Sequence, residues 1–251
     1  MRALSSLFPI AIVAISFATS PLVAQTVDTI RVGSVRLARM PARVDTFDIE
    51  FEMQTPSGPQ RQQNVSVDRN TMELRGKDSV LHMHFGSEKP VPYWDAYVDP
   101  KTLATIQYEQ HTATDSVLIT KKGECLTGWV DLAKAARRVV TCDRFTDRFA
   151  GSPVDERLIA LLPLRAGQHS VLATYGMVFG NPGGFEFRVL GQDTLTIRGK
   201  TFDAWRVENR LTTEYGTIVA TIWVDRDRPR VLRYHREFPN NRRATGTLRN
   251  P

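Results

Sequence analysis

The chain is poor in cysteine: Cys125 and Cys142 are the only two in 251 residues. Their wide spacing, with neither in a CxxC motif, argues against the common structural zinc sites. Short catalytic signatures are missing as well. There is no GxSxG, no HExxH, no phosphate-cradling P-loop and no GxGxxG. Those absences remove the usual hydrolase elbow, the zincin pair and the common nucleotide folds as readings, and no motif calls for a cofactor. Past the first segment, no apolar run is long enough to cross a bilayer as a helix.

That first segment, MRALSSLFPIAIVAISFATSPLVAQ, has the layout of a secretory signal. Arg2 supplies the positive end, Leu7 to Phe17 the apolar run, and Ser20, Pro21 and Ala24 the small-residue end. The expectation is removal of residues 1–24 and an exported chain, periplasmic or secreted. In such a compartment two cysteines ordinarily pair, so a Cys125–Cys142 disulfide is expected, with two buried thiols as the alternative.

The net charge of +6 is not spread evenly. Residues 226–251 hold eight arginines against Asp227 and Glu237. The excess therefore sits at the C-terminal end, and the rest of the exported chain is close to neutral. A local basic patch suits anionic headgroups or another polyanion. An exported chain without a nucleic-acid module gives no reason to expect nucleic acid. The other reading of these arginines is a solvated edge followed by a basic tail.

What the sequence has in quantity is period-two alternation. VDTFDIEFEM puts Phe47, Ile49 and Phe51 on one face and acids on the other. SVLHMHF, FEFRVLG, DTLTIRG and TIVATIWV read the same way. Turn formers such as Gly76-Lys77-Asp78, Asp99-Pro100 and Arg198-Gly199-Lys200 separate them at short intervals. The pattern predicts a mainly β chain, an antiparallel meander forming a half-barrel, barrel or sandwich. SPVDERLIALLPL is the best helix, with Ser152 as N-cap, Pro153 at the first position and Pro163 as the stop. WVDLAKAARRVV, 129–140, is a second candidate. The expected layout is one β-rich domain over 25–240, readable as two similar halves of about 25–150 and 151–240, followed by a flexible basic tail at 241–251.

The halves are suggested by two stretches. YVDPKTLATIQY (97–108) aligns without gaps to WVDRDRPRVLRY (223–234), 126 residues further on. Asp99 and Asp225 can each bond backbone N–H groups just downstream and start a turn. Ile106 and Tyr108, or Leu232 and Tyr234, then face the core, while Val231, Arg233 and His235 fall on the other face. A duplicated unit and two unrelated amphipathic hairpins both fit this alignment.

ERLIALLPLRAGQ, FEFRVLGQDTLTIRGKTFDAWRVE and TIWVDRDRPRVLRY together resemble an uncharacterised family of exported bacterial proteins, a domain-of-unknown-function family. Its pattern is a helix ending in Leu-Pro-Leu-x-x-Gly, a Val-x-Gly strand, a Gly-x-Phe-x-Ala hairpin and a closing Trp-Val-Asp hairpin. The resemblance covers about residues 155–238. It implies a curved antiparallel sheet similar to the half-barrel carriers of the LolA and LolB type, and it carries no catalytic residues.

Candidate chemistry is sparse. His82 and His84 share a strand face and would need a third ligand, such as His111, His235 or Asp95, to hold a metal; two strand histidines without one do not specify a site. Asp48/Glu50 and Asp95/Asp99 are the acid pairs a glycosidase would need, but alternating carboxylates on outer strand faces are far commoner. The reading with most support is a non-enzymatic module binding an amphiphilic or apolar ligand, or an envelope partner, with Trp94, Trp205 and Trp223 near the hollow and Arg230, Arg233 and Arg236 drawing an anionic headgroup. A secreted hydrolase with an unrecognised site is the alternative. No feature specifies an oligomeric state.

Overall fold

A computed structural model describes residues 27–30, 43–86, 92–102, 104–133, 135–144, 155–176, 181–213 and 216–251. The expected leader at 1–24 lies outside them, as do Ser152 and Pro153.

Alternation does become sheet. The first strands are β1 (Asp28–Ile30), β2 (Arg43–Thr55), β3 (Gly58–Arg75), β4 (Asp78–Gly86) and β5 (Tyr93–Val98). They are followed by β6 (Thr105–His111), β7 (Ser116–Lys122), β8 (Cys125–Leu132) and β9 (Ala135–Arg144). After helix α1 (Asp155–Ile159) come β10 (His169–Gly176), β11 (Asn181–Ile197) and β12 (Lys200–Thr213). The chain closes with β13 (Gly216–Asp225), β14 (Val231–Phe238) and β15 (Arg242–Leu248). All fifteen join one sheet in the order β1-β10-β11-β12-β13-β14-β15-β2-β3-β4-β5-β6-β7-β8-β9. Every pairing is antiparallel except the short β1–β10 contact. The sheet is open rather than a closed barrel, since β1 and β9 end the order without pairing to each other.

Three expectations change. The stretch 241–251 is no free tail: β15 is bonded between β14 and β2 and is the seam through which the two parts of the sheet become one. Residues 129–140 form the β8–β9 hairpin instead of a helix. The β-formers Trp129, Val130, Val139 and Val140 outweigh the short alanine run there, and a Cys125–Cys142 disulfide ties the two strands together. Val231 joins the buried core, because the pairing skips Leu232 between Trp223↔Arg233 and Val224↔Val231. One extra residue inverts the alternation that placed Val231 outside.

The inner face carries Phe47, Met83, Ala96 and Tyr108, and α1 with the residues after it lies against it. Leu158 and Ile159 are fully buried, and Ala160, Leu161 and Leu162 nearly so. Each such aliphatic side chain contributes about 2 kcal/mol by leaving water. The helix is a single turn continued by tighter bonds, Leu161 N–H to Leu158 O and Leu162 N–H to Ile159 O. It is held by packing, since so short a helix has little stability of its own.

Candidate functional site

Polar residues ahead of this apolar run fasten it to both parts of the sheet. Arg236 on β14 donates to Glu156, its Nε 2.6 Å from Oε1. Arg157 Nε donates to Asp68 on β3 at 2.6 Å, with its guanidinium 4.0 Å from the Phe85 ring centroid. Arg43–Asp45 and Arg230–Asp225 complete a belt of four buried or part-buried arginine–acid pairs. Asp68 stands directly across from Asp45. Burial, with Asp45 adding to it, pushes the Asp68 carboxyl up to about 6 despite the opposing pull of Arg157.

This belt changes the picture of the arginine run. Arg226 and Arg228 are exposed as a hairpin's wet side should be, but Arg230 is buried and Arg236 mostly so. Both commit their guanidinium groups to Asp225 and Glu156. Arg233 lies on the opposite face from Arg236, across from Trp223, and among the described residues its Nε has no hydrogen-bond partner. The three tryptophans do not share one surface. Trp94 pairs with Phe85 on the inner face, at 5.2 Å between ring centroids. Trp205 stands opposite buried Val224, whereas Trp223 stands opposite Arg206 on the other side and donates Nε1–H to Asp193 at 2.8 Å.

On the outer face of β3 to β6 a second polar group assembles. His82 donates from Nδ1 to Glu73 at 2.6 Å and from Nε2 to Asp95 at 2.8 Å. His84 Nδ1 reaches the same Asp95 oxygen at 2.8 Å. Both His82 nitrogens therefore meet carboxylate oxygens, an arrangement that favours the doubly protonated ring. Burial works against that charge, but the hydrogen bonds to Asp95 and Glu73 overcome it and raise the His82 pKa. For Asp95 burial acts upward, and the two histidines outweigh it to hold the carboxyl well below its usual range. His82 stacks on Tyr97 at 4.2 Å, and burial pushes the Tyr97 phenol up to about 12.

Of the three candidate third ligands, the fold brings up Asp95. His111 bonds Ser116 Oγ, and His235 on β14 bonds Thr245 Oγ1 on β15. The result is a hydrogen-bond network: among the described residues no group of three His, Cys, Asp or Glu is arranged to hold a metal ion. One member of each acid pair is engaged elsewhere. Asp48 takes Arg198 and Arg249, while Asp99 caps its turn by accepting the amides of Lys101 and Thr102.

A groove of about 320 Å³ lies beside the segment that follows α1. Leu161, Leu162, Pro163 and Leu164 form one wall, Trp205 and Val224 stand opposite, and the Asp225–Pro229 turn closes the end. Arg226 is exposed in this lining: its guanidinium lies 5.0 Å from the Trp205 ring centroid and bonds Gln192 Oε1 at 3.1 Å. Trp205 is the one residue here that the sequence reading had picked. The wall 161–164 gave no such signal, because an apolar run after a helix start reads equally as plain core.

An open, mainly antiparallel sheet with its own helical segment laid on the inner face defines the architecture. The chain matches, over residues 43–247, a family described as a protein of unknown function (DUF3108), and it belongs to that family. The match takes in the N-terminal half as well as the 155–238 stretch that carried the resemblance. No curated protein and no solved structure matches the chain.

Proposed function

We propose that the protein is an exported, non-enzymatic binding module that takes the chain of an anionic amphiphile into the groove between residues 161–164 and the Asp225–Pro229 turn. The observation that carries this reading is that one groove is lined both by the apolar residues 161–164 and by exposed Arg226 and Arg228. At about 320 Å³ the groove is at the small end of the range for small-ligand sites, roughly 300–1,000 Å³. The headgroup role expected of Arg230, Arg233 and Arg236 passes to Arg226 and Arg228. Export fits the disulfide and the absence, among the described residues, of a helix long and apolar enough to cross a membrane. The comparison with half-barrel carriers belongs to the same proposal.

Titration with a fluorescent fatty-acyl probe at low and high ionic strength tests it. Saturable binding at micromolar concentrations is expected, weaker in high salt. It should fall further when Leu164 is exchanged for Asp, and when Arg226 and Arg228 are exchanged for Gln. Absence of saturable binding under either condition overturns the carrier reading.

A further inference from the structure

In an antiparallel meander, alternate hairpin tips lie at the same end of the sheet. The tips of β3–β4, β5–β6, β7–β8, β11–β12 and β13–β14 therefore form one rim. In the N-terminal half this rim carries exposed Lys77, Lys101, Lys121 and Lys122. Three of these tips converge on a second recess of about 560 Å³, with Arg75, Lys77, Lys101 and Lys121 in its lining. In the C-terminal half the same rim carries Arg226 and Arg228, and the groove opens among them. Some rim charge is already matched, since Asp48 binds Arg198 and Arg249, and Lys200 Nζ bonds the Pro251 carbonyl at 3.0 Å. Asp78, Glu124 and Asp227 also stand on these tips, and Asp99 is occupied by its turn amides. The opposite rim differs. Among the described residues its tips at 56–57, 112–115 and 239–241 hold one charge, Asp115, with Arg242 and Arg243 at the start of β15.

We infer that the rim bearing Lys77, Lys101, Lys121, Arg226 and Arg228 is a docking surface for an anionic lipid bilayer. Charge complementarity selects the partner's sign, and cations presented on several tips suit an extended surface of headgroups better than a single small anion. The choice of a bilayer over other polyanions rests on the groove reading, because an amphiphile leaving a membrane would enter at this rim.

The test is co-sedimentation of the full exported chain with phosphatidylcholine vesicles and with vesicles containing phosphatidylglycerol. Binding is expected only to the anionic vesicles and should be lost in high salt. Each basic residue near such a surface contributes about fivefold in partitioning. The triple variant Lys77→Gln, Lys101→Gln, Lys121→Gln should therefore lose on the order of a hundredfold, while Arg242→Gln with Arg243→Gln on the opposite rim leaves it unchanged. The triple variant should still bind the acyl probe, since none of its residues lines the groove; vesicle binding without probe binding would keep the rim and sink the groove. Equal loss from both sets of substitutions, binding to both vesicle types alike, or binding to heparin but to neither vesicle, overturns the lipid-surface assignment.

Discussion

Asp99 and Asp225 close the same turn in two different hairpins. Each donates its backbone N–H to a carbonyl beyond the turn, Ala104 at 2.8 Å and Arg230 at 2.9 Å. Each also accepts two amides on Oδ1, from Lys101 and Thr102 in one case and from Asp227 and Arg228 in the other. The pairing irregularity falls at corresponding places, between Tyr97 and Val98 and between Trp223 and Val224. The two turns differ in one partner. Asp225 also binds the buried Arg230 guanidinium at 2.8 Å, where the other hairpin has Ala104.

That difference sets a first expectation. Asp99→Ala removes turn hydrogen bonds and should cost about 1–2 kcal/mol. Asp225→Ala also leaves a buried arginine uncompensated and should cost about 3–5 kcal/mol. Urea unfolding of both variants measures the gap, and equal losses would show that the Arg230 pair adds nothing.

Asp68 predicts a pH dependence of unusual sign for a carboxylate. Its folded value, about 6, lies above the unfolded value near 3.9. The folded state therefore holds the proton more tightly. The stability this group contributes is fully present below about pH 4 and is lost as pH rises through about 6. Relative to Asp68→Asn, the wild-type chain should gain a few kcal/mol on acidification across that window. Parallel urea midpoints for the two proteins would contradict this.

His82 has the same sign in a higher pH range. Its pKa is raised in the fold, so its contribution is complete below the unfolded value near 6.5 and is lost as pH rises through the folded value. Asp95, held low, contributes above its unfolded value near 3.9 and loses that contribution as pH falls. NMR titration of the His82 ring should show a midpoint above the free-histidine range, and Asp95→Asn should bring it down. A midpoint that Asp95→Asn leaves in place would remove the network as its cause.

The Cys125–Cys142 bridge spans a sequence separation of 17. Closing a loop of that size constrains the unfolded chain by about 3 kcal/mol in the entropy model. The double variant Cys125→Ser, Cys142→Ser should lose about that much in urea unfolding. Two thiols alkylated without reductant in freshly isolated protein would rule the bridge out.

The sequence by itself determined the kind of structure. Period-two alternation and regular turn residues required antiparallel strands, and the Asp99 and Asp225 hairpins were legible because a turn is built from neighbours in the chain. It also marked the cysteine pair and the helix at Asp155–Ile159, one of its two helix candidates. The tertiary structure decided what lay across the chain. Only the packed sheet brings Arg236 to Glu156 and Asp68 to Arg157. Arg242–Leu248 looked like a tail because its arginines dominate its composition, yet its small and apolar alternate residues Ala244, Gly246 and Leu248 fit the inner face between β14 and β2. Alternation names two faces but not their partners. A single skipped residue at Leu232 inverted one of them, and only the packed sheet could show which arginines met water and which met a carboxylate.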